Sequence, residues 1–197
     1  MRLRSRSWLL PAALLLFPAA GVRAGEVALA PFVGFQYGGS LDSVASGRAS
    51  IGVGLQYGAN LDIAIGGEGW GADLLFARQE SELASVPHLG IAVERYLAGV
   101  REEKGDDRFR FRGVFLIGAT RFVLDGLGSD VRFTGALGLG ASIALSPRVG
   151  VRADARAYYA VVSFSGGSAC VNGSCVSVFG GTGVWQGDVT AGLELRF

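Results

Sequence analysis

The residues of this chain that could perform acid-base or nucleophilic chemistry are few and lie close together in sequence. His88 is the single histidine among the 197 residues. The hydroxyls and carboxylates that precede it are Ser81, Ser85, Glu80 and Glu82. A serine activated by a histidine is a common nucleophile in hydrolases and acyltransferases, so a Ser-His-Glu constellation is conceivable. Exposed polar loops contain the same residue types routinely, and that simpler interpretation is favoured.

Two cysteines, Cys170 and Cys175, bracket an Asn172-Gly173 pair that is typical of a tight reversing turn. In an exported chain such a pair is expected to form a disulfide. Closing so small a loop contributes at most about 2 kcal/mol, so the bond would hold a loop and not the whole fold. A zinc site is the poorer alternative because the spacing is not CxxC and no second ligand pair exists. We expect neither a metal nor another cofactor.

The composition excludes two broad classes of protein. The chain has 32 glycines, 12 phenylalanines and 50% apolar residues, which is too hydrophobic for a disordered segment. Its formal net charge is +1, and no basic run with interleaved aromatics is present. We therefore expect no nucleic-acid partner.

The first 24 residues have the pattern of a secretory signal peptide. Arg2, Arg4 and Arg6 precede an apolar stretch at 8–17, and small residues end the segment at Ala24. An uncleaved anchor is the alternative, but the apolar stretch is short for a membrane-spanning helix. We predict a cleaved signal peptide at 1–24 and one domain at 25–197.

The dominant pattern of the domain has a period of two residues. From Trp185 to Phe197 the odd positions are mostly apolar, and the even positions are mostly polar or charged. Residues 149–161 repeat this alternation, which a helical period of 3.6 residues would not produce. Weaker alternation occurs at 31–37, 50–57, 70–77, 89–94, 109–120 and 132–143. In 89–94 the apolar face is Leu89, Ile91 and Val93, and Arg95 then breaks the phase. The sequence therefore predicts an all-β fold of eight antiparallel strands, arranged as an up-and-down transmembrane β-barrel.

The content of the two faces decides which one points inward. The polar face holds many glycines and a few charges, whereas large aliphatic and aromatic residues fill the other. The interior of an eight-stranded barrel is narrow, which suits small residues and ion pairs but not rows of phenylalanine and leucine. Facing lipid near the midplane would cost Arg152 and Arg156 about 2–4 kcal/mol each. We therefore predict a lumenal charge network of Asp73, Arg110, Arg112, Arg152, Asp154, Arg156, Asp188 and Glu194. Simple filling of the lumen is favoured over a gated pore.

An even number of strands places both ends of the domain on the periplasmic side of an outer membrane. The predicted periplasmic turns are 59–69, 99–108 and 146–148. The predicted outer loops are 39–48, 79–87, 124–130 and 165–182, and the last of these carries both cysteines.

Four segments together resemble the outer-membrane β-barrel domain family of Gram-negative bacteria, small eight-stranded barrels of the OmpA and OmpX type. They are "APFVGFQYGG", "RFRFRGVFLIGATRF", "GVRADARAYY" and "WQGDVTAGLELRF". The resemblance implies an outer-membrane location. It also implies that the alternating Leu193, Leu195 and Phe197 are a signal for the barrel-assembly machinery.

The favoured hypothesis for function is a monomeric, non-enzymatic protein in contact with outer-membrane lipids and lipopolysaccharide. Its outer loops would serve envelope integrity, adhesion or binding of an extracellular ligand. An enzyme acting on lipid A or phospholipid is one alternative. A small porin is another, disfavoured by the small number of strands.

Overall fold

A computed structural model describes residues 27–43, 47–50, 52–65, 69–82, 90–124, 128–161, 167–171, 174–178 and 183–197. The predicted signal peptide at 1–24 lies outside these residues and stays a prediction. The described parts contain no helix long and apolar enough to cross a membrane.

The described residues form twelve strands. The first six are β1 (Val27–Tyr37), β2 (Ser40–Ser43), β3 (Gly47–Ser50), β4 (Gly54–Ala64), β5 (Trp70–Glu82) and β6 (Gly90–Gly105). The other six are β7 (Phe109–Leu124), β8 (Gly128–Ala144), β9 (Val149–Val161), β10 (Gly167–Val171), β11 (Ser174–Val178) and β12 (Val184–Arg196).

Eight of these strands close into a barrel in the order β1-β12-β9-β8-β7-β6-β5-β4, and every neighbouring pair is antiparallel. The predicted eight-stranded antiparallel barrel is confirmed. The other four strands form a small sheet in the order β10-β11-β2-β3. This sheet arises from the connections that follow β1 and β9, so it lies at the end of the barrel opposite the start of β1. We call that end the loop end and the other the terminal end.

Several barrel strands are longer than the sequence indicated. Instead of predicted turns at 59–69 and 99–108, β4 continues to Ala64 and β6 continues to Gly105. The residues added to β4 are polar at alternate positions, whereas those added to β6 include a charged run from Arg101 to Lys104, for which the sequence predicted a turn. In the structure two of them, Asp62 and Glu103, pair with the buried Arg112 of the barrel interior. The loop-end connections are shortened in the same way, since β5 reaches Glu82 and β8 begins at Gly128.

The barrel wall alternates between an apolar outer face and a polar inner face. In β9 the accessible and buried positions alternate along its whole length, with Val151 outside and Arg152 inside. Large apolar side chains on the outer face include Val33, Phe35, Leu55, Leu74, Phe115, Ile117, Phe133, Leu137, Leu139, Val189 and Leu193. We call this surface the apolar belt.

The predicted phase of β6 was wrong. Ile91 and Val93, predicted on the apolar outer face, are 2% and 0% exposed and lie on the same face as Arg95. The outer face of this strand instead carries Glu94 and Tyr96. Glu94 can lie outside because it is near the loop end and pairs with arginines there. Leu89, placed with Ile91 and Val93 in that prediction, falls outside the described residues.

Many glycines on the inner face lie against the backbone of a neighbouring strand, which the outward Gly113 and Gly135 do not. A Cβ atom added to the inward Gly99 would lie 2.8 Å from the Cα atom of Leu116 on the neighbouring strand. A Cβ atom added to the outward Gly113 would have no heavy atom within 4 Å. The interior glycines therefore follow from the close approach of neighbouring backbones, which cannot move aside as a flexible side chain can.

The substitution Gly99→Ala is expected to destabilise the barrel by about 1–3 kcal/mol, because the added methyl group overpacks against backbone. Gly113→Ala is the matched control and should change the free energy of unfolding by less than about 0.5 kcal/mol. Urea unfolding in detergent micelles, followed by tryptophan fluorescence, measures both. Equal midpoints for the two variants would contradict the steric explanation.

Candidate functional site

The candidate site is the lumen of the barrel, where ionised side chains from distant strands meet. The Nη1 atoms of Arg112 and Arg152 donate hydrogen bonds to Oδ2 of Asp62, at 3.0 Å and 2.7 Å. All three side chains are buried, and they come from β7, β9 and β4. None of these strands neighbours another of the three, so Asp62 ties together opposite parts of the wall.

The network continues from Asp62 through both arginines. Arg152 Nε and Arg156 Nη2 donate to Oδ2 of Asp154 at 2.6 Å and 3.2 Å. Arg112 Nη2 donates to Oε2 of Glu194 at 2.7 Å. Each carboxylate is thus shared or held by a guanidinium, which is how buried charges are tolerated in a protein interior.

Neutral polar side chains complete the network at two further carboxylates. Asp188 accepts hydrogen bonds from the Tyr158 hydroxyl and from Gln56 Nε2, both at 2.6 Å. Asp73 accepts one from Asn60 Nδ2 at 2.8 Å, and Asn60 Oδ1 in turn accepts one from Arg156 Nη2 at 3.0 Å. These contacts extend the network further across the lumen.

An apolar layer interrupts the polar filling of the lumen. Its members are Phe32, Leu75, Ala77, Leu97, Val114, Leu116, Ala136 and Tyr158. The narrow interior was expected to exclude large apolar side chains, and that expectation was wrong. These side chains point inward because Leu97 of β6 and Val114 and Leu116 of β7 occupy inward positions of their strands, between charged residues.

Arg95 is fully buried and is held without a carboxylate within 4 Å among the described residues. Its guanidinium donates hydrogen bonds to the side-chain oxygens of Gln36 and Gln186. It also lies 4.4 Å from the ring centroid of Tyr158, a cation–π contact. Arg95 therefore joins the apolar layer to the polar side chains on its loop-end side.

A cavity of about 300 Å³ opens at the terminal end of the lumen. Glu103 lies in its wall and pairs with Arg101 at 3.0 Å, Arg110 at 3.2 Å and Arg112 at 3.4 Å. Charges of both signs line it, so the cavity has no strong preference for an anion or a cation.

The turn between β6 and β7 is held by Asp106. The backbone N–H groups of Phe109 and Arg108 donate hydrogen bonds to its Oδ1 atom at 2.6 Å and 2.8 Å. These bonds stabilise the ionised carboxylate and hold its pKa below the ordinary value. The Asp106 carboxylate is therefore ionised at neutral pH and accepts both hydrogen bonds of the turn.

Outside the barrel, charged side chains border the apolar belt near both ends. Near the loop end, Glu94 pairs with Arg78 at 2.9 Å and with Arg121 at 3.5 Å, in one row across β5, β6 and β7. Near the terminal end, the ammonium group of Lys104 lies 2.7 Å from the carboxylate of Glu102.

The predicted lumenal charges lie as follows. The buried ones are Asp73, Arg112, Arg152, Asp154, Arg156, Asp188 and Glu194. Arg110 lies at the terminal end, where it is partly exposed and pairs with Glu103.

Sequence reasoning missed Asp62, Asn60, Glu103 and Arg95, which are central to these contacts. All of the first three fall in predicted turns. For Asn60 and Asp62 the alternation with apolar neighbours was a usable signal, whereas Glu103 lies in a run of charged residues that carries no such signal. Arg95 interrupts the alternation predicted for β6, so the sequence gives no inward position for it.

The predicted disulfide stays a prediction. Backbone pairing places Cys170 directly opposite Cys175 in the β10–β11 hairpin. Opposed residues of antiparallel strands have Cα atoms about 4.5–5.5 Å apart, a separation that a disulfide can bridge.

The conceivable catalytic constellation is not assembled among the described residues. His88 and Ser85 lie outside them, as does the side chain of Glu82. The Ser81 hydroxyl donates a hydrogen bond to the carbonyl oxygen of Gly52 at 3.0 Å, and Glu80 pairs with Arg78 at 3.0 Å.

The last strand presents Leu193, Leu195 and Phe197 on one face, with Leu193 and Phe197 exposed. The Phe197 N–H donates to the Val27 carbonyl oxygen at 2.9 Å, which ties β12 to β1. Recognition of these three side chains by the assembly machinery stays a prediction.

Replacing Asp62 by asparagine is expected to lower the free energy of unfolding by about 3–5 kcal/mol, because Arg112 and Arg152 lose their shared carboxylate while remaining buried. Glu80→Gln removes an exposed partner of Arg78 and serves as the control, with an expected change of about 0–1 kcal/mol. Urea unfolding in detergent distinguishes the two. Similar losses in both variants would show that the lumenal network contributes no more than a surface ion pair.

Comparison with solved structures identifies the architecture. Neisserial surface protein A matches with a TM-score of 0.62 at 15% identity, covering 89% of this chain and 100% of that chain. The outer membrane protein OprG from Pseudomonas aeruginosa matches with a TM-score of 0.58 at 12% identity, covering 90% and 98%. No protein-family model and no curated protein matches the chain. The chain therefore has the fold of the small eight-stranded outer-membrane β-barrels.

Proposed function

We propose that this protein is a non-enzymatic integral barrel of the bacterial outer membrane, closed to solutes, that displays its loop end to the cell exterior. The observation that carries the proposal is that the barrel wall is apolar outside and polar inside, the reverse of a water-soluble barrel. Leu139 on the outer face is 73% exposed, whereas Arg152 on the inner face is 2% exposed. In water this arrangement would expose a large continuous apolar surface, and in a bilayer it buries that surface.

The height of the apolar belt supports insertion into a membrane. On the outer face of β6, the charged Glu94 and Glu102 bracket Tyr96, Ala98 and Val100. The eight residue-to-residue steps from Glu94 to Glu102, at about 3.4 Å each and tilted by about 40°, span about 21 Å. An apolar band of about 25 Å is typical of outer-membrane barrels. The two charged borders thus fit the two membrane surfaces.

The filling of the lumen supports a closed barrel. Ion pairs around Asp62 and the apolar layer around Leu116 follow one another along the axis. An ion would have to separate buried pairs and then cross side chains that offer it no ligands. The lumen acts in this proposal as a packed core that rigidifies the wall.

The small sheet at the loop end supports a role in display. Its strands β2 and β3 come from the connection after β1, and β10 and β11 come from the connection after β9. Val178 of β11 pairs with Ser43 of β2, so two connections meet beyond the barrel wall. A rigid barrel carrying joined loops is a common way to present a binding surface. Adhesion, envelope integrity and ligand binding are the roles that such a surface serves.

The purified protein is expected to require detergent for solubility and to migrate faster on a gel before heating than after it, because the folded barrel is compact. In planar bilayers it should form no stable channels. Either a freely soluble monomer or large, long-lived conductance steps would contradict this part of the proposal.

Cells with and without the protein are expected to have identical lipid A and phospholipid acylation by mass spectrometry, because no catalytic role is proposed. A His88→Ala variant should behave as the wild type. A wild-type change in acylation that this variant abolishes would establish an enzyme instead.

A further inference from the structure

An apolar groove of about 720 Å³ crosses the outer wall over β6 to β9. Its volume lies within the range of ligand pockets, roughly 300–1,000 Å³. Trp70, near the terminal end, borders one end of the groove, and Tyr37, near the loop end, borders the other. The groove therefore runs obliquely along the apolar belt between two aromatic side chains.

Strand register shows that the groove is continuous. One row of paired residues runs from Trp70 through Glu102, Gly113 and Leu139 to Ala155. The next row runs from Val100 through Phe115, Leu137 and Ala157 to Gly187 and Tyr37. Because the strands tilt in a barrel, such rows climb around the wall.

Small residues form the floor of the groove, and large apolar side chains form its walls. Gly113 has no side chain, and a Cβ atom added there would meet nothing within 4 Å. Ala155 adds only a methyl group, whereas Phe115 and Leu139 are half-exposed or more and rise from the wall. The result is a channel on the surface that a flexible hydrocarbon chain fits better than a rigid ring does.

Paired charges lie where the groove reaches the terminal end. Glu102 lines the groove, and its carboxylate lies 2.7 Å from the ammonium group of Lys104. The two side chains are 38% and 77% exposed, so both are accessible from outside. A zwitterionic headgroup with a phosphate and a primary ammonium carries the complementary pair of charges.

We propose that the groove holds one acyl chain of a phospholipid of the phosphatidylethanolamine class, with its ammonium group on Glu102 and its phosphate on Lys104. This inference rests on the proposed function, since it requires the outer wall to face lipid. The terminal end then faces the periplasm, so the bound lipid belongs to the periplasmic leaflet.

The headgroup contacts provide the selectivity. Lipid tails are as apolar as the groove, so the acyl chain alone gives little preference over the surrounding lipid. An anionic phosphatidylglycerol headgroup would meet Lys104 but would bring no ammonium group to Glu102. Two charge-assisted contacts therefore favour the zwitterionic headgroup.

Native mass spectrometry of the folded protein, released from micelles containing equal phosphatidylethanolamine and phosphatidylglycerol with identical acyl chains, tests this site. The wild type is expected to retain one phosphatidylethanolamine at least threefold over phosphatidylglycerol. Gly113→Trp fills the groove and should reduce the retained lipid several-fold. Gly135→Trp is the matched control, because Gly135 also has nothing within 4 Å but does not line the groove. The double variant Glu102→Gln, Lys104→Gln should keep a lipid but lose the preference.

Equal retention of the two lipids by the wild type would overturn the inference, as would equal loss of lipid in the Gly113→Trp and Gly135→Trp variants. The wild-type ratio decides the matter even if a tryptophan variant fails to fold. A wild type that folds with a heat-modifiable band but shows no preference would leave the proposed function intact. A wild type that is soluble without detergent would overturn the proposed function itself.

Discussion

Closure of the backbone hydrogen bonds between β1 and β12 is the constraint on which the rest of the structure depends. Their register runs from Ala28 opposite Arg196 to Tyr37 opposite Gly187. Closure removes the last free strand edge, so backbone groups are satisfied within the wall and the outer face can be apolar. It also sets the diameter of the lumen, because eight strands enclose only enough space for side chains.

The narrow lumen explains both its glycines and its charges. Where neighbouring backbones approach closely, as at Gly99, the inner face has no room for a Cβ atom. Where side chains do point inward, they reach those of opposite strands, as Arg152 reaches Asp62. Burial of each charge costs free energy, and only a partner of opposite charge offsets that cost. The net stabilisation by a buried pair is therefore small, whereas removing one partner leaves a buried charge uncompensated and is strongly destabilising. The apolar layer around Leu116 divides the polar filling and makes the lumen a packed core.

The outer wall separates two tasks along its height. Its middle is the apolar belt, and its borders on β6 are the ion pairs of Glu94 at the loop end and of Glu102 at the terminal end. The proposed lipid site lies at the terminal-end border, where the surface groove meets the Glu102–Lys104 pair. The proposed display surface uses the opposite end, where β2 and β11 join beyond the barrel. Neither role needs a passage through the lumen, which is consistent with its packing.

The sequence by itself determined the fold class, the number of barrel strands and the sidedness of most of them. A period of two residues is a local property, and the contrast between Arg152 and Val151 suffices to tell the inner face from the outer one. The tertiary structure decided which charges meet, since Asp62, Arg112 and Arg152 are far apart in sequence and are brought together by strand register and closure. It also decided which residues of β6 face outward. Glu94 can lie on the outer face only because strand length and tilt place it near the loop end, beside Arg78 and Arg121. The apolar lumenal layer was unpredictable for the same reason: alternation tells which way Leu116 points, but only the closed barrel shows what faces it.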